Sequence, residues 1–107
     1  MKKLLLLPLL LATSLTLADT VFVDVRTDEE FQQDHLESAA HIPFQQIAAE
    51  IGKLNLAKDD EVVLYCRSGR RADIAAETLA GMGFTHVKNV KTLDGARSYQ
   101  STLTANP

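Results

Sequence analysis

The chain has 107 residues, of which 46% are apolar and 23% are charged. This composition fits one globular domain and excludes a disordered or fibrous chain. The single cysteine excludes an internal disulfide and any site built on several cysteine ligands. The formal charge of -3 leaves no strong basic field for a nucleic acid or an anionic membrane surface.

The N-terminal segment, residues 1–18, has the order of a Sec-type secretory signal peptide. A positively charged start precedes the leucine-rich stretch Leu4–Leu11, which is interrupted only by Pro8, and small residues lead up to Ala18. A retained membrane anchor is disfavoured because a spanning helix needs roughly 20 apolar residues. We therefore expect cleavage after Ala18, a periplasmic location, and a mature domain at 19–107 with no stable membrane association.

The mature part alternates between strand and helix patterns. Runs of apolar and β-branched residues predict three strands, at Val21–Val25, Val62–Tyr65 and His86–Val90. Apolar spacing and breaker residues predict four helices: a short one carrying Phe31, then Phe44–Ile51, Ala72–Met82 and Leu93–Leu103. Strands that alternate with helices give a single α/β domain with a mainly parallel central sheet flanked by helices.

Local signals mark the ends of two of these helices. Thr27 and Glu30 have the spacing of a capping box, which starts the first helix. Gly52 is a plausible stop for the second helix. We also expect Arg26 to pair with Glu30 at the edge of the sheet.

The residues with the most specific chemistry form the loop Cys66–Arg71, with the sequence C-R-S-G-R-R. It lies between a buried strand and a helix, where sites form in open α/β sheets and where helix N–H groups favour an anion. Gly69 permits a positive φ that turns successive amides inward. The loop's three arginines add positive charge. Such surroundings lower the pKa of a cysteine and make it a nucleophile.

A simpler explanation of Cys66 is a small core residue at the end of an apolar strand. A core cysteine, however, needs neither a glycine nor three cations beside it. The loop composition therefore favours a functional thiol.

Four segments in the right order resemble the rhodanese family of sulfurtransferases. They are Val23–Arg26 with the following Glu30 and Phe31, His35–Pro43, Val63–Ala72, and Leu93–Tyr99. The second segment departs from the family pattern where Gly, Gly and Asn are replaced by Asp34, Ser38 and His41. The last segment departs where Gly and Trp are replaced by Ala96 and Tyr99. The chain is most similar to small single-domain periplasmic rhodaneses of bacteria.

The resemblance implies a two-step transfer of the outer sulfur of thiosulfate to cyanide or a thiol acceptor. Cys66 would attack that sulfur, release sulfite and carry a persulfide. Loop amides would cradle the persulfide, namely those of Ser68, Gly69, Arg70 and Arg71. The sulfonate would be bound by one of three side chains, between which the sequence does not choose: Arg67, Arg70 or Arg71.

Neither a metal nor an organic cofactor is expected. The histidines fit no common ligand spacing, and His35 and His41 are expected to make local hydrogen bonds. The expected partners are thiosulfate and a cyanide or thiol acceptor, with no nucleic acid. No pattern indicates a large exposed apolar patch, so a monomer is expected.

Two other functions stay open at this point. Cysteine-dependent phosphatases and arsenate reductases resemble this loop but have five residues between cysteine and arginine. Here Arg71 follows Cys66 after four residues, and Ala72 occupies the next position. A non-catalytic rhodanese-like binding module is the other alternative, although such modules usually lack the cysteine.

Overall fold

The computed structural model of the protein describes residues 19–105, so the predicted signal peptide lies outside the described residues. The strands are β1 (Thr20–Asp24), β2 (Ala40–His41), β3 (Glu61–Tyr65) and β4 (His86–Lys91). The α-helices are α1 (Asp28–Gln33), α2 (Ile47–Glu50), α3 (Arg70–Gly81) and α4 (Leu93–Ala105). Two 3-10 turns flank α2, at Phe44–Gln46 and Ile51–Leu54. No helix within the described residues is long and apolar enough to cross a membrane.

The strands form one sheet in the order β2-β1-β3-β4, and every neighbouring pair is parallel. β1 and β3 pair along their whole length, from Thr20 opposite Glu61 to Asp24 opposite Tyr65. The predicted α/β domain with a parallel central sheet is therefore confirmed. Because the strands are parallel, their carboxyl ends meet at one edge, where ligand sites form in such sheets.

The sheet separates two apolar cores, because successive side chains of a strand point to opposite faces. In and after β3, Val62, Leu64 and Cys66 join the larger core, which α2 and α3 cover. Val63 and Tyr65 join the smaller core beneath α4. Burial on both faces explains why the strand reads as an unbroken apolar run.

The prediction of one regular α-helix over Phe44–Ile51 is wrong. The segment is one turn of α-helix between two 3-10 turns, and Ala48 is exposed although Ile47 and Ile51 are buried. A 3-10 turn has three residues per turn, so α-helical spacing no longer keeps the predicted face together. Gly52 does not end the segment. The left-handed residue that ends it is Asn55, with φ of 55°, a conformation that asparagine tolerates.

Two other elements differ from the sequence prediction. The edge strand β2 is only two residues long, too short to show an alternating pattern, and it extends through the hydrogen bond from the Ile42 N–H to the Asp24 carbonyl at 3.0 Å. Helix α3 begins at Arg70 rather than Ala72.

The predicted capping box at the start of α1 is confirmed, with both Thr27–Glu30 contacts present.

A buried ion pair closes the carboxyl end of β1. Asp24 is fully buried, and Arg26 donates to it from Nε at 2.9 Å and from Nη2 at 2.6 Å. The Arg26 backbone N–H also donates to the carboxylate at 3.0 Å. The expected Arg26–Glu30 pair is therefore wrong. Arg26 folds back onto Asp24, and Glu30 pairs with Arg71 instead.

Replacing Asp24 by alanine should lower the free energy of unfolding by about 3 kcal/mol, because it leaves the Arg26 guanidinium nearly buried without its carboxylate. Urea unfolding followed by circular dichroism measures this. Asp59→Ala, at an exposed residue of the turn before β3, is the control and should change stability by at most about 0.5 kcal/mol. Equal losses in the two variants would contradict the structural role of the pair.

Candidate active site

Cys66 directly follows β3 at the carboxyl edge of the sheet. The residue is only 1% exposed, and its backbone N–H donates to the carbonyl of Lys91 at 3.1 Å. This bond fixes the start of the loop to the end of β4. The loop then runs over Arg67 and Ser68, which are exposed, to Gly69 at the N-cap of α3. The cysteine is therefore held between two strand ends and a helix start.

Backbone N–H groups converge on the Cys66 sulfur. The Gly69 N–H donates to Sγ at 3.0 Å. Burial raises the pKa of the Cys66 thiol, but hydrogen bonds from backbone N–H groups lower it by more. The pKa of the thiol is therefore below its ordinary value. The N–H groups belong to Ala72, Ser68, Gly69 and Arg71. The contribution of Ala72 was missed from the sequence. It could have been predicted from the fact that the first N–H groups of a helix have no partner within the helix.

Gly69 has φ of 104°, in the left-handed region, as the sequence predicts. A Cβ atom there would lie 3.1 Å from Cγ of Lys91. The conformation and the close approach both favour glycine. This turn is what aims the Gly69 N–H at the sulfur.

The three loop arginines have different surroundings. Arg71 makes a bidentate ion pair with Glu30 of α1, at 2.8 Å and 3.1 Å. Arg67 is exposed and lines the cleft above Cys66, whereas Arg70 is exposed at the first turn of α3. Within residues 19–105, neither Arg67 nor Arg70 has an ion-pair partner. The structure thus separates side chains that the sequence left equivalent.

An open cleft of about 400 Å³ lies above the cysteine. Its lining is strongly charged: Arg26, Asp34, Cys66, Arg67, Thr92, Leu93, Asp94 and Arg97. Arg97 pairs with Asp34 at 3.0 Å, joining α4 to the segment after α1. Sequence reasoning did not bring these two residues to the site, because they are far apart in the chain and belong to no shared motif. The open, charged cleft gives a small anion room to reach Cys66.

The histidines make local contacts, as expected. His35 and His41 stack on the ring of Phe31, with centroids 3.7 Å and 4.4 Å away. A ring nitrogen of His35 lies 2.7 Å from the Phe31 carbonyl, and one of His41 lies 2.8 Å from the Arg26 carbonyl. In the part of the chain that the structure describes, no three His, Cys, Asp or Glu side chains come together as metal ligands.

Comparison with known proteins identifies the family. The sequence profile of the rhodanese-like domain matches residues 10–98, so the chain belongs to the rhodanese family. It is 39% identical over 85 residues to the thiosulfate sulfurtransferase PspE of Escherichia coli (strain K12), an alignment covering 75% of this chain and 82% of that protein. A solved structure of a rhodanese with anions from E. coli superposes with a TM-score of 0.67 at 37% identity, covering 71% of this chain and 89% of that one.

A third relative shows that the domain also occurs in longer proteins. The putative sulfur carrier protein YrkF of Bacillus subtilis (strain 168) is 38% identical over 68 residues, which cover 64% of this chain but only 36% of that protein. Together, the family and its sulfurtransferase members support sulfur transfer as the general chemistry of this chain.

The Glu30–Arg71 pair should make stability depend on pH. The hydrogen bond from Arg71 lowers the pKa of Glu30 from 4.5 to about 2. Because the pKa is lower in the folded state, the extra stability is present above pH 4.5 and is lost as the pH falls towards about 2. We expect the free energy of unfolding to fall less steeply over this range in Glu30→Gln than in the wild type.

Urea unfolding at a series of acidic pH values tests this dependence. Glu29→Gln, at the exposed neighbour of Glu30, is the matched control and should keep the wild-type slope. If both variants show that slope, Glu30 does not carry the effect.

Proposed function

We propose that the protein is a thiosulfate sulfurtransferase in which Cys66 carries the transferred sulfur as a persulfide. The observation that carries this proposal is the buried Cys66 sulfur beneath an open cleft, with backbone N–H groups directed at it and its pKa lowered. A lowered pKa increases the thiolate fraction, and the thiolate is the nucleophile. The E. coli relative named as a thiosulfate sulfurtransferase supports thiosulfate as the donor.

In the first step, the Cys66 thiolate attacks the outer sulfur of thiosulfate. A bond forms between Sγ and that sulfur, the sulfur–sulfur bond of thiosulfate breaks, and sulfite leaves with the electron pair. The product is a Cys66 persulfide anion. We expect the N–H groups around the sulfur to stabilise this anion as well, and donors that are fixed beforehand need no reorganisation during the reaction.

In the second step, the acceptor attacks the terminal sulfur of the persulfide. The carbon of cyanide, or the sulfur of a thiolate, forms the new bond, and the sulfur–sulfur bond to Cys66 breaks. The electron pair returns to Sγ, which regenerates the thiolate. The products are thiocyanate or an acceptor persulfide, and no metal or organic cofactor takes part in either step.

We assign the sulfonate end of thiosulfate to Arg67. Arg67 lines the cleft with Cys66 and has no ion-pair partner among residues 19–105, whereas Arg71 is held by Glu30. Charge-assisted hydrogen bonds from a guanidinium suit such an oxyanion. The related rhodanese from E. coli was solved with anions, which supports an anion-binding site in the present chain as well.

The rival functions gain no support from this geometry. In a phosphatase or arsenate reductase the arginine that follows the loop binds the oxyanion, but Arg71 here is occupied by Glu30. A binding module without catalysis would not need N–H groups directed at a thiol sulfur.

The proposal places the mature protein, as a monomer, in the periplasm. Support for this location comes from the signal-peptide pattern that ends at Ala18. Intact-mass spectrometry of the protein recovered from a secreting bacterial host tests this, and we expect the mass of a chain that starts at Asp19.

The persulfide is tested by intact mass before thiosulfate, after thiosulfate, and after cyanide. We expect the mass of one sulfur atom to be gained and then lost, with thiocyanate appearing. Cys66→Ser should gain nothing and should lose sulfur transfer by roughly 10³-fold or more, as expected when an enzyme loses its nucleophile. Circular dichroism should show that this variant still folds. A wild-type thiol that stays unmodified by thiosulfate, or activity retained in Cys66→Ser, would contradict the mechanism.

The assignment of Arg67 is tested by steady-state kinetics with thiosulfate. Arg67→Gln should raise KM for thiosulfate about ten-fold or more, since it removes a hydrogen bond to a charged group. Lys53→Gln, at an exposed cation of the 3-10 turn after α2, is the control for a change in net charge. A larger rise in Arg70→Gln than in Arg67→Gln would move the sulfonate site to Arg70 and overturn the assignment.

A further inference from the structure

The side chain of Asn89, in β4, joins three parts of the chain beside the cysteine loop. Its Nδ2 donates to the Gly69 carbonyl at 2.9 Å and to Oδ1 of Asp73 at 2.8 Å. Its Oδ1 accepts from the Lys91 N–H at 2.8 Å. Both amide hydrogens and the oxygen are thus used. One half-buried side chain connects the loop, helix α3 and the end of β4.

Two of these contacts lead directly to Cys66. Gly69, held through its carbonyl, donates its N–H to the cysteine sulfur at 3.0 Å. Lys91, held through its N–H, accepts the Cys66 backbone N–H at its carbonyl, at 3.1 Å. Asn89 therefore binds one residue that contacts the sulfur and one that contacts the cysteine backbone.

Gly69 and Lys91, the two residues through which Asn89 reaches Cys66, have left-handed backbone conformations, with φ of 104° and 77°. For lysine this conformation is unfavourable, because Cβ crowds the backbone. The β3–β4 register also shifts here: Leu64 lies opposite Asn89, but Tyr65 lies opposite Lys91. An asparagine side chain that accepts from the N–H two residues later stabilises this kind of turn. The side-chain oxygen of Asn89 thus stabilises the unfavourable backbone conformation of Lys91, whose carbonyl accepts the Cys66 N–H.

We infer that Asn89 is a positioning residue for the reaction at Cys66, because it sets where the Gly69 N–H and the Lys91 carbonyl hold the cysteine. The inference rests on the proposed role of Cys66 in sulfur transfer. Asn89 does not line the cleft, so it acts through its neighbours and not by touching the substrate.

Charged groups near the sulfur come from several elements, and the test must separate them from Asn89. Those lining the cleft, or coupled to the thiol by charge, are Arg26, Asp34, Arg67, Arg71, Asp94 and Arg97. Asn89→Ala changes none of these charges. A change in thiol titration in this variant therefore reports the geometry of the N–H groups.

The test is the rate of Cys66 alkylation by iodoacetamide, measured across the pH range in which the thiol titrates. Asn89→Ala should raise the thiol pKa by about 0.5 to 1 unit and slow alkylation at neutral pH by about three- to ten-fold. In the sulfurtransferase assay, kcat should fall with little change in KM for thiosulfate. Asp73→Asn is the matched control. It keeps an oxygen for Asn89 and removes a negative charge, so it should not raise the thiol pKa.

A second variant covers the case in which Asn89→Ala does not fold. Asn89→Ser changes no charge and removes the side-chain amide that donates to the Gly69 carbonyl. It should also raise the thiol pKa. A folded Asn89 variant with the wild-type thiol pKa, or an equal rise in Asp73→Asn, would overturn the inference. If the wild type transfers no sulfur while Asn89→Ala still raises the thiol pKa, the proposed function fails and the positioning role stands.

Discussion

The site depends on one constraint: main-chain N–H groups must point at the sulfur of Cys66. A buried thiolate is costly unless donors surround it, and here the donors come from the loop after β3 and from the first turn of α3. That geometry requires the left-handed turn at Gly69. It also requires β4 to come close enough for Lys91 to hold the cysteine backbone. The shape of the carboxyl edge of the sheet follows from these requirements.

The buried ion pair at the end of β1 serves the same edge from the other side. Arg26 lines the cleft, yet its guanidinium is held by Asp24 and lies over the ring of Tyr65, 5.4 Å from its centroid. Burial raises the pKa of Tyr65 to about 12, so its hydroxyl stays protonated; its oxygen accepts the Leu36 N–H at 3.0 Å. These contacts fix the residues below the cleft. The wall next to Cys66 is consequently a rigid layer of satisfied polar groups.

Features with local causes could be predicted from the sequence. The β3 strand, the capping box at Thr27 and the turn at Gly69 each depend on a short run of residues, and all three were predicted. The partner of Arg71 was not predictable, because it depends on how α1 lies against the loop. Arg26 has carboxylates close by in the sequence at Asp24 and at Glu30, and its pairing with Asp24 follows from the burial of that carboxylate at the end of β1. Asn89 was also missed. A single asparagine in a strand carries no signal until the fold brings it to Gly69.

The carboxylate of Glu30 has two duties at once. It closes the capping box that starts α1, and it holds Arg71 of the cysteine loop. A helix of six residues is too short to be stable alone, so α1 draws part of its order from the loop. The Glu30–Arg71 ion pair therefore links the order of this helix to that of the loop. One carboxylate thus connects the surface helix to the cysteine loop, because Glu30 and Arg71 are in contact although they are 41 residues apart in the chain.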